Sequence, residues 1–310
     1  MMTRKIGFMN YQLLTTAAVT AALGILTSGC GKGGGNSDGA GATTTIQNKG
    51  SDTMVNLAQS WAEEYKKVAP TVDVEVSGGG SGVGIAALTK GTVDLANTSR
   101  DMKAEEIEQA KKNTGKVPKK ITVGYDALAI YVHKDNPLNE ITLEQIAQIY
   151  AEGGGITKWS DLGVRIPNAS GEEIVRVSRQ SSSGTYEFLR EHVLNKKDFK
   201  LGSRDMNGSK EVVELVANTP TAIGYSGMGY TTPAVKMLKV KKTAADPAYE
   251  PSVKTTLAKT YPIARSLEVY TLGEPEGALK DYVKWILSDA GQKVVEATGY
   301  VPLPPEERVK

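Results

Sequence analysis

One cysteine and two histidines are all that this 310-residue chain offers of the residues that most often build disulfides, metal sites and nucleophilic centres. A single thiol excludes an intrachain disulfide and the Cys-rich zinc motifs. His133, beside Lys134 and Asp135, and His192, inside a helix-like run, stand too far apart in sequence to form a paired metal motif. No serine occupies a Gly-x-Ser-x-Gly elbow: Gly224-Tyr225-Ser226-Gly227 comes close, but Met228 stands where glycine is needed. No metal, no cofactor and no catalytic residue are therefore expected. An excess of charge is lacking too, with 37 Lys and Arg against 35 Asp and Glu. Without a basic stripe interleaved with aromatics, a nucleic-acid partner is not expected. No repeat of fixed period is visible, which excludes a solenoid or propeller.

The N-terminus is the first positive signal. Arg4 and Lys5 precede an uncharged run through Leu13, Leu14, Val19, Leu23, Ile25 and Leu26, the layout of a secretory signal. Leu26-Thr27-Ser28-Gly29-Cys30 resembles a bacterial lipoprotein processing site, although Thr27 stands three residues before the cysteine, where leucine is usual. A signal peptide over residues 1–29 and lipidation of Cys30 are expected, with an uncleaved anchor or a freely secreted form as alternatives. Removing residues 1–29 takes two cations and no acid, so the net charge of +2 becomes 0. Residues 30–44, dominated by Gly, Ser, Thr, Asn and Ala, read as a flexible tether.

From residue 45 onward, β-type runs alternate with runs of helical period, the punctuation of an α/β fold. Thr44-Thr45-Ile46, a helix with Val55, Leu57, Trp61 and Tyr65 on one side, Val72 to Val76, a short helix through Ile85 and Leu88, and Thr92 to Ala96 make a βαβαβ unit. Lys120 to Val132 is β-rich and long enough to cross between lobes. Thr142 with Gln145 three residues on has capping-box spacing before a helix ending at Tyr150. Strands at Ile174 to Ser178, Thr221 to Ser226 and Leu267 to Tyr270 follow, and a last helix over Glu276 to Glu296 is interrupted near Gly291.

The chemistry concentrates at strand-to-helix turns. Arg179-Gln180-Ser181-Ser182-Ser183-Gly184-Thr185 brings a guanidinium, hydroxyls and a glycine to the expected start of a helix, where free N–H groups and the macrodipole favour an anion. A planar five-donor fork gives bidentate bonds to phosphate-type oxygens. Gly50-Ser51-Asp52-Thr53 carries three N-cap-competent side chains where one would cap a helix. Gly78-Gly79-Gly80-Ser81-Gly82-Val83-Gly84 can present N–H groups as a nest. It is neither a nucleotide P-loop nor a dinucleotide fingerprint. Thr98-Ser99-Arg100 closes a strand, where ligands collect in open α/β sheets, and Arg100 reads either as a second cleft cation or as a surface ion pair.

Taken together, these motifs resemble the phosphate-binding proteins of bacterial phosphate-specific ABC transporters, in their lipoprotein form, over about residues 45–303. Arg179-x-x-x-Ser183-Gly184-Thr185 and Ala222-Ile223-Gly224-Tyr225 are the most specific marks, with Val93-Asp94-Leu95-Ala96 and Ile156-Thr157-Lys158-Trp159-Ser160-Asp161-Leu162 beside them. The resemblance implies a two-lobed type II periplasmic-binding-protein fold, with a hinge of two crossing strands and a ligand cleft between lobes. Lobe I is expected over 45–125 and 228–310, lobe II over 126–227. It further implies that Ser51, Asp52, Thr53, Ser81, Gly82, Ser99 and Arg100 bind inorganic phosphate from one side and Arg179, Ser183, Gly184 and Thr185 from the other. The partner is a membrane permease, and the protein is a lipid-anchored, extracytoplasmic monomer. In some members an Asp at the place of Ser99 accepts the proton of bound hydrogen phosphate; here Asp52 is expected to take that role, helped by Ser99 and Ser51. Another tetrahedral oxyanion such as sulfate, molybdate or tungstate, a phosphatase using Ser81 or Ser183, and a sensor or adhesion role are the alternatives.

Overall fold

The computed structural model describes residues 43–167 and 169–309; the expected signal peptide, Cys30 and nearly all of the tether lie outside the described residues. The chain opens with β1 (Thr44–Gly50), α1 (Val55–Val68), β2 (Val72–Ser77), α2 (Ser81–Thr89) and β3 (Leu95–Thr98), with β1 parallel to both β2 and β3. The third strand begins later than its β-type residues suggest, because Asp94 is used at the turn, where its carboxylate accepts from Gln47 N–H at 2.8 Å. α3 (Ala104–Thr114) then leads to β4 (Pro118–His133).

β4 organises the molecule. Up to Ala127 it lies antiparallel to β11 (Ala264–Leu272); from Leu128 it pairs instead with β8 (Ala222–Gly227) and β9 (Val235–Met237). Its residues Ala127 to Val132 are all buried, as expected of a strand covered on both faces. The second lobe is built by β5 (Glu140–Thr142), α4 (Leu143–Tyr150), β6 (Val175–Arg179), α5 (Gly184–His192), β7 (Arg204–Met206) and α6 (Ser209–Ala217) with β8 and β9. β10 (Lys239–Lys241) and α7 (Val253–Leu257) follow, and α8 (Gly277–Ile286) and α9 (Asp289–Ala297) come after β11. Among the described residues the sheet has nine strands in the order β2-β1-β3-β11-β4-β8-β6-β7, with β9 beside β4. Thr142 and Gln145 exchange both capping-box bonds at the start of α4.

Past residue 228, where the second crossing between lobes is expected, the chain still bonds to the second half of β4. Leu238 N–H donates to Ile130 O at 2.8 Å, Tyr261 OH to Leu128 O at 2.8 Å and Leu128 N–H to Ile263 O at 3.0 Å, so the chain up to Ile263 stays with the second half of β4. The final helix breaks at Leu287-Ser288, where Ser288 caps α9, and Gly291 lies inside α9. A Cβ on Gly291 would sit 2.4 Å from the carbonyl oxygens of Trp285 and Ile286, so this glycine marks close packing of two helices rather than a break.

Trp61, Tyr65, Tyr282, Val283, Leu267 and Val269 fill one face of the first lobe, and Ile85, Leu88, Met102 and Tyr270 the other. Tyr150, Trp159, Phe188, Leu189 and Tyr225 fill the second. One buried group is out of keeping. The Glu268 side chain, 1% exposed on β11, has its closest cation at Lys120 Nζ, 3.4 Å away. Burial raises its pKa above the ordinary glutamate value despite that lysine. The protonated form therefore suits the fold, and native stability falls as pH rises through the raised pKa. Glu268→Gln is expected to raise the melting temperature by a few degrees at neutral pH, with the gain disappearing in acid; a melting series across pH checks it.

Candidate anion-binding site

Gly50 ends β1 at φ +148, and a Cβ there would stand 2.1 Å from Asn97 O. That close approach lets Ser51 N–H donate to Asn97 O at 2.9 Å and sends the next three residues across the carboxyl end of the sheet. They do not cap α1, whose N-cap is Met54 with no side-chain bond. Ser51 Oγ instead donates to Ser99 Oγ at 2.9 Å, Thr53 Oγ1 meets Thr185 Oγ1 at 2.9 Å, and Asp52 bridges Gly79 N–H at 2.8 Å and Arg179 Nη2 at 3.0 Å. Two phenols hold this turn from behind, Tyr230 OH on Asp52 O at 2.7 Å and Tyr300 OH on Thr53 O at 2.5 Å. Burial raises both phenol pKa values, so both remain proton donors at neutral pH.

Gly80, at φ +96, turns the chain into α2 so that Ser81, fully buried, is the first helical residue. Ser81 Oγ accepts from Ser99 N–H at 3.1 Å and lies 3.3 Å from Ser99 Oγ. Gly82 N–H donates to Ser182 O at 2.9 Å on the opposite wall. Arg100 is not brought into this cluster: its two Nη atoms bind the Glu106 carboxylate at 2.8 and 2.7 Å, with Asp101 O at 2.7 Å. Glu106 is at N3 of α3, where its carboxylate also accepts from Lys103 N–H. The neighbouring acid captures the arginine before it can reach the cleft.

From the second lobe, β6 delivers Arg179 with 1% exposure. Its Nη1 donates to Ser209 Oγ at 3.0 Å and its Nη2 to Asp52 Oδ2 and Asn207 O, while Nε is buried without a hydrogen-bonding partner among the described residues. Burial lowers the Arg179 pKa, with Asp52 opposing that effect. Ser183 is the N-cap of α5, accepting from Thr185 N–H at 3.2 Å and Tyr186 N–H at 3.4 Å. Gly184 stands so close to the other wall that a Cβ would lie 2.3 Å from Ser81 Oγ and 2.7 Å from Ser99 Oγ.

The N-termini of α2 and α5 thus face each other across a few ångströms, each with first-turn N–H groups that have no partner in their own helix. Buried hydroxyls lie around them, and two buried guanidiniums, Arg179 and Arg265, reach Asp52 and Thr53 of the adjoining turn. Such an array suits an anion with several oxygens. Hydroxyls, N–H groups and a guanidinium supply donors; Asp52 is the carboxylate that reaches the same guanidinium. Among the described residues no three of His, Cys, Asp and Glu are grouped so as to hold a metal ion.

Sequence reasoning missed Arg265, Asp126, Tyr230, Tyr300 and Ser209. Arg265, 6% exposed on β11, pairs with Asp126 of β4 at 2.8 Å and reaches Thr53 Oγ1 and Ser99 O, both at 3.3 Å. No local motif announces it. The only signal is the register that sets Arg265 opposite Asp126, which depends on strands far apart in sequence.

Residues 36–290 match the PBP superfamily domain. The phosphate-binding protein PstS of Pseudomonas aeruginosa is 36% identical over 274 residues, 85% of this chain and 84% of the relative. That of Staphylococcus saprophyticus is 31% identical over 306 residues, 96% of this chain and 92% of the relative. Among solved structures, a Clostridium perfringens protein assigned as a phosphate ABC transporter substrate-binding protein, with bound phosphate, superimposes with a TM-score of 0.73 at 29% identity, covering 84% of this chain and all of the other.

Proposed function

Since the chain belongs to the PBP superfamily and to the phosphate-binding PstS proteins within it, we propose that it captures inorganic phosphate outside the cytoplasm and delivers it to an ABC-type importer. The observation that carries this reading is Arg179. A guanidinium so deeply buried, with Asp52 as its one carboxylate and its Nε without a partner among the described residues, suits a further anionic oxygen. Thr53, Ser81, Gly184 and Thr185 are its proposed co-ligands, with Asp52 the acceptor for the phosphate proton. Ser51 and Ser99 support Ser81 through their hydroxyl chain, and Ser183 shapes the α5 terminus. Gly82 joins the walls, and Arg100 stays with Glu106.

The two walls touch through Asp52 and Arg179, Thr53 and Thr185, Gly82 and Ser182, and Lys103 with Glu187 at 2.8 Å. A ligand that contacts both walls favours this joined arrangement by its differential affinity for it. Calorimetric titration of the chain without its first 29 residues against phosphate, sulfate and molybdate tests the function. A preference for phosphate is expected, and silence towards phosphate would end the reading. Release of product from a chromogenic phosphoester would instead favour a phosphatase.

Gly184→Ala is expected to cost at least a hundredfold in phosphate affinity, because the added methyl must displace Ser81 or Ser99 or keep the walls apart. Small-angle scattering with and without phosphate, beside the titration, checks whether closure is what is lost. No helix among the described residues is long and apolar enough to cross a membrane. We assign membrane attachment to a lipid on Cys30 on the sequence alone, from Arg4, Lys5 and the small residues before the cysteine. Mass spectrometry of the protein from membranes tests it, and an unmodified Cys30 would remove the anchor.

A further inference from the structure

Arg265 stands behind the hydroxyl array rather than among its co-ligands. Its Nε and Nη2 donate to Asp126 Oδ2 at 3.0 and 2.8 Å, and both side chains are almost wholly buried. Nη1 donates to Ser99 O, Nη2 also to Thr53 Oγ1, and the guanidinium lies over the Phe188 ring of the opposite wall, 5.5 Å from its centroid. The other oxygen of Asp126 accepts from Met228 N–H at 3.0 Å, immediately after β8. Asp126 itself sits where β4 is about to leave β11 for β8. One ion pair therefore touches both crossing strands, the first-lobe wall and the second-lobe wall.

If stability were the only demand, an apolar pair of similar volume would serve this position as well or better, because desolvating two charges is costly. Nor does Arg265 add net charge to the cleft, since Asp126 neutralises it. What it does add is a direction. A guanidinium can only donate, so Thr53 Oγ1 accepts from Arg265 and must send its own proton away from it, towards Thr185 Oγ1 or an anion that takes the place of that partner.

We propose that Arg265, oriented by Asp126, is a positioning residue for the anion site: it fixes the Thr53 hydroxyl as a donor to the ligand and ties that polarity to the strand crossing. The Thr98-Ser99 turn is held by the same guanidinium through Ser99 O, which steadies the hydroxyl that Ser81 leans on. This inference rests on the phosphate reading of the cleft and adds to it a residue that never touches the ligand.

The test is a double-mutant cycle read by calorimetric titration with inorganic phosphate. Asp126→Asn combined with Arg265→Gln removes both charges together, so neither is left buried alone. In the Thr53 background this pair is expected to weaken phosphate binding at least about tenfold, and in the Thr53→Ala background by less than about threefold. Equal losses in both backgrounds would mean that the pair only supports the fold, and would overturn the proposal. If the doubly neutral variant gives no cooperative melt, Arg265→Lys takes its place. It keeps a charge facing Asp126 without the fork, the same non-additivity is expected, and equal losses again overturn the proposal. Wild-type protein that ignores phosphate would instead remove the reading of the cleft, and the proposal with it.

Discussion

Arg179→Ala is expected to weaken phosphate binding by about 2–5 kcal/mol, roughly thirty- to several-thousandfold. Two effects add. The variant loses a buried cation whose Nε has no hydrogen-bonding partner among the described residues, while both Nη atoms are engaged. It also leaves the Asp52 carboxylate, which Arg179 now neutralises at 3.0 Å, as an unopposed negative charge in the wall that must receive an anion. The second effect pushes the loss towards the upper end of the range. Arg179→Lys should recover only part of it. An ammonium is a point charge and cannot hold Ser209, Asn207 and Asp52 in the fork geometry while also reaching a ligand. Fold stability should fall as well, because Ser209, 1% exposed, and Asp52 both lose a buried partner. Titration with phosphate beside a thermal melt separates the two. Affinity within a few-fold of wild type in a folded variant would move the anion away from Arg179.

The parts of this site that the sequence makes legible are those written into single turns. Gly50 to Thr53, Gly78 to Ser81 and Arg179 to Thr185 each lie where a strand ends and a helix begins, so spacing and residue type are enough to mark them. The alternation of short strands and helices likewise announces the α/β class, and the length of β4 announces a crossing. What could not be read is set by pairing across the sheet. Arg265 and Asp126 are neighbours only because β11 runs antiparallel to β4 in one register, and Tyr230 and Tyr300 reach Asp52 O and Thr53 O from segments with no motif of their own. Arg100, which reads either as a cleft cation or as an ion pair, takes the ion pair. It follows Ser99 directly, yet Glu106, in the first turn of α3, binds both of its Nη atoms. Nothing local in β9, only three residues long, says that it pairs with β4.

Asp52→Asn should change which anion is preferred more than how tightly anions are held. Donors surround the proposed ligand position: Arg179, the N–H groups of Ser81 and Gly184 at the starts of α2 and α5, and the hydroxyls of Thr53, Ser81 and Thr185. A fully deprotonated sulfate is satisfied by donors alone, whereas phosphate near neutral pH still carries a proton and needs an acceptor. Asp52 is the carboxylate on hand. One of its oxygens takes Gly79 N–H and the other Arg179, which leaves lone pairs on both. Asparagine replaces one of those oxygens with a second set of donors, so the phosphate proton meets an N–H while sulfate gains a bond. The preference for phosphate over sulfate is expected to fall about ten- to a hundredfold. Loss of the cross-wall pair with Arg179 acts on closure around either anion alike, so the ratio of the two affinities, measured in parallel titrations, isolates the proton contact. An unchanged ratio would take the acceptor role from Asp52 and assign it to the Ser51 and Ser99 hydroxyls or to a backbone carbonyl of the turn.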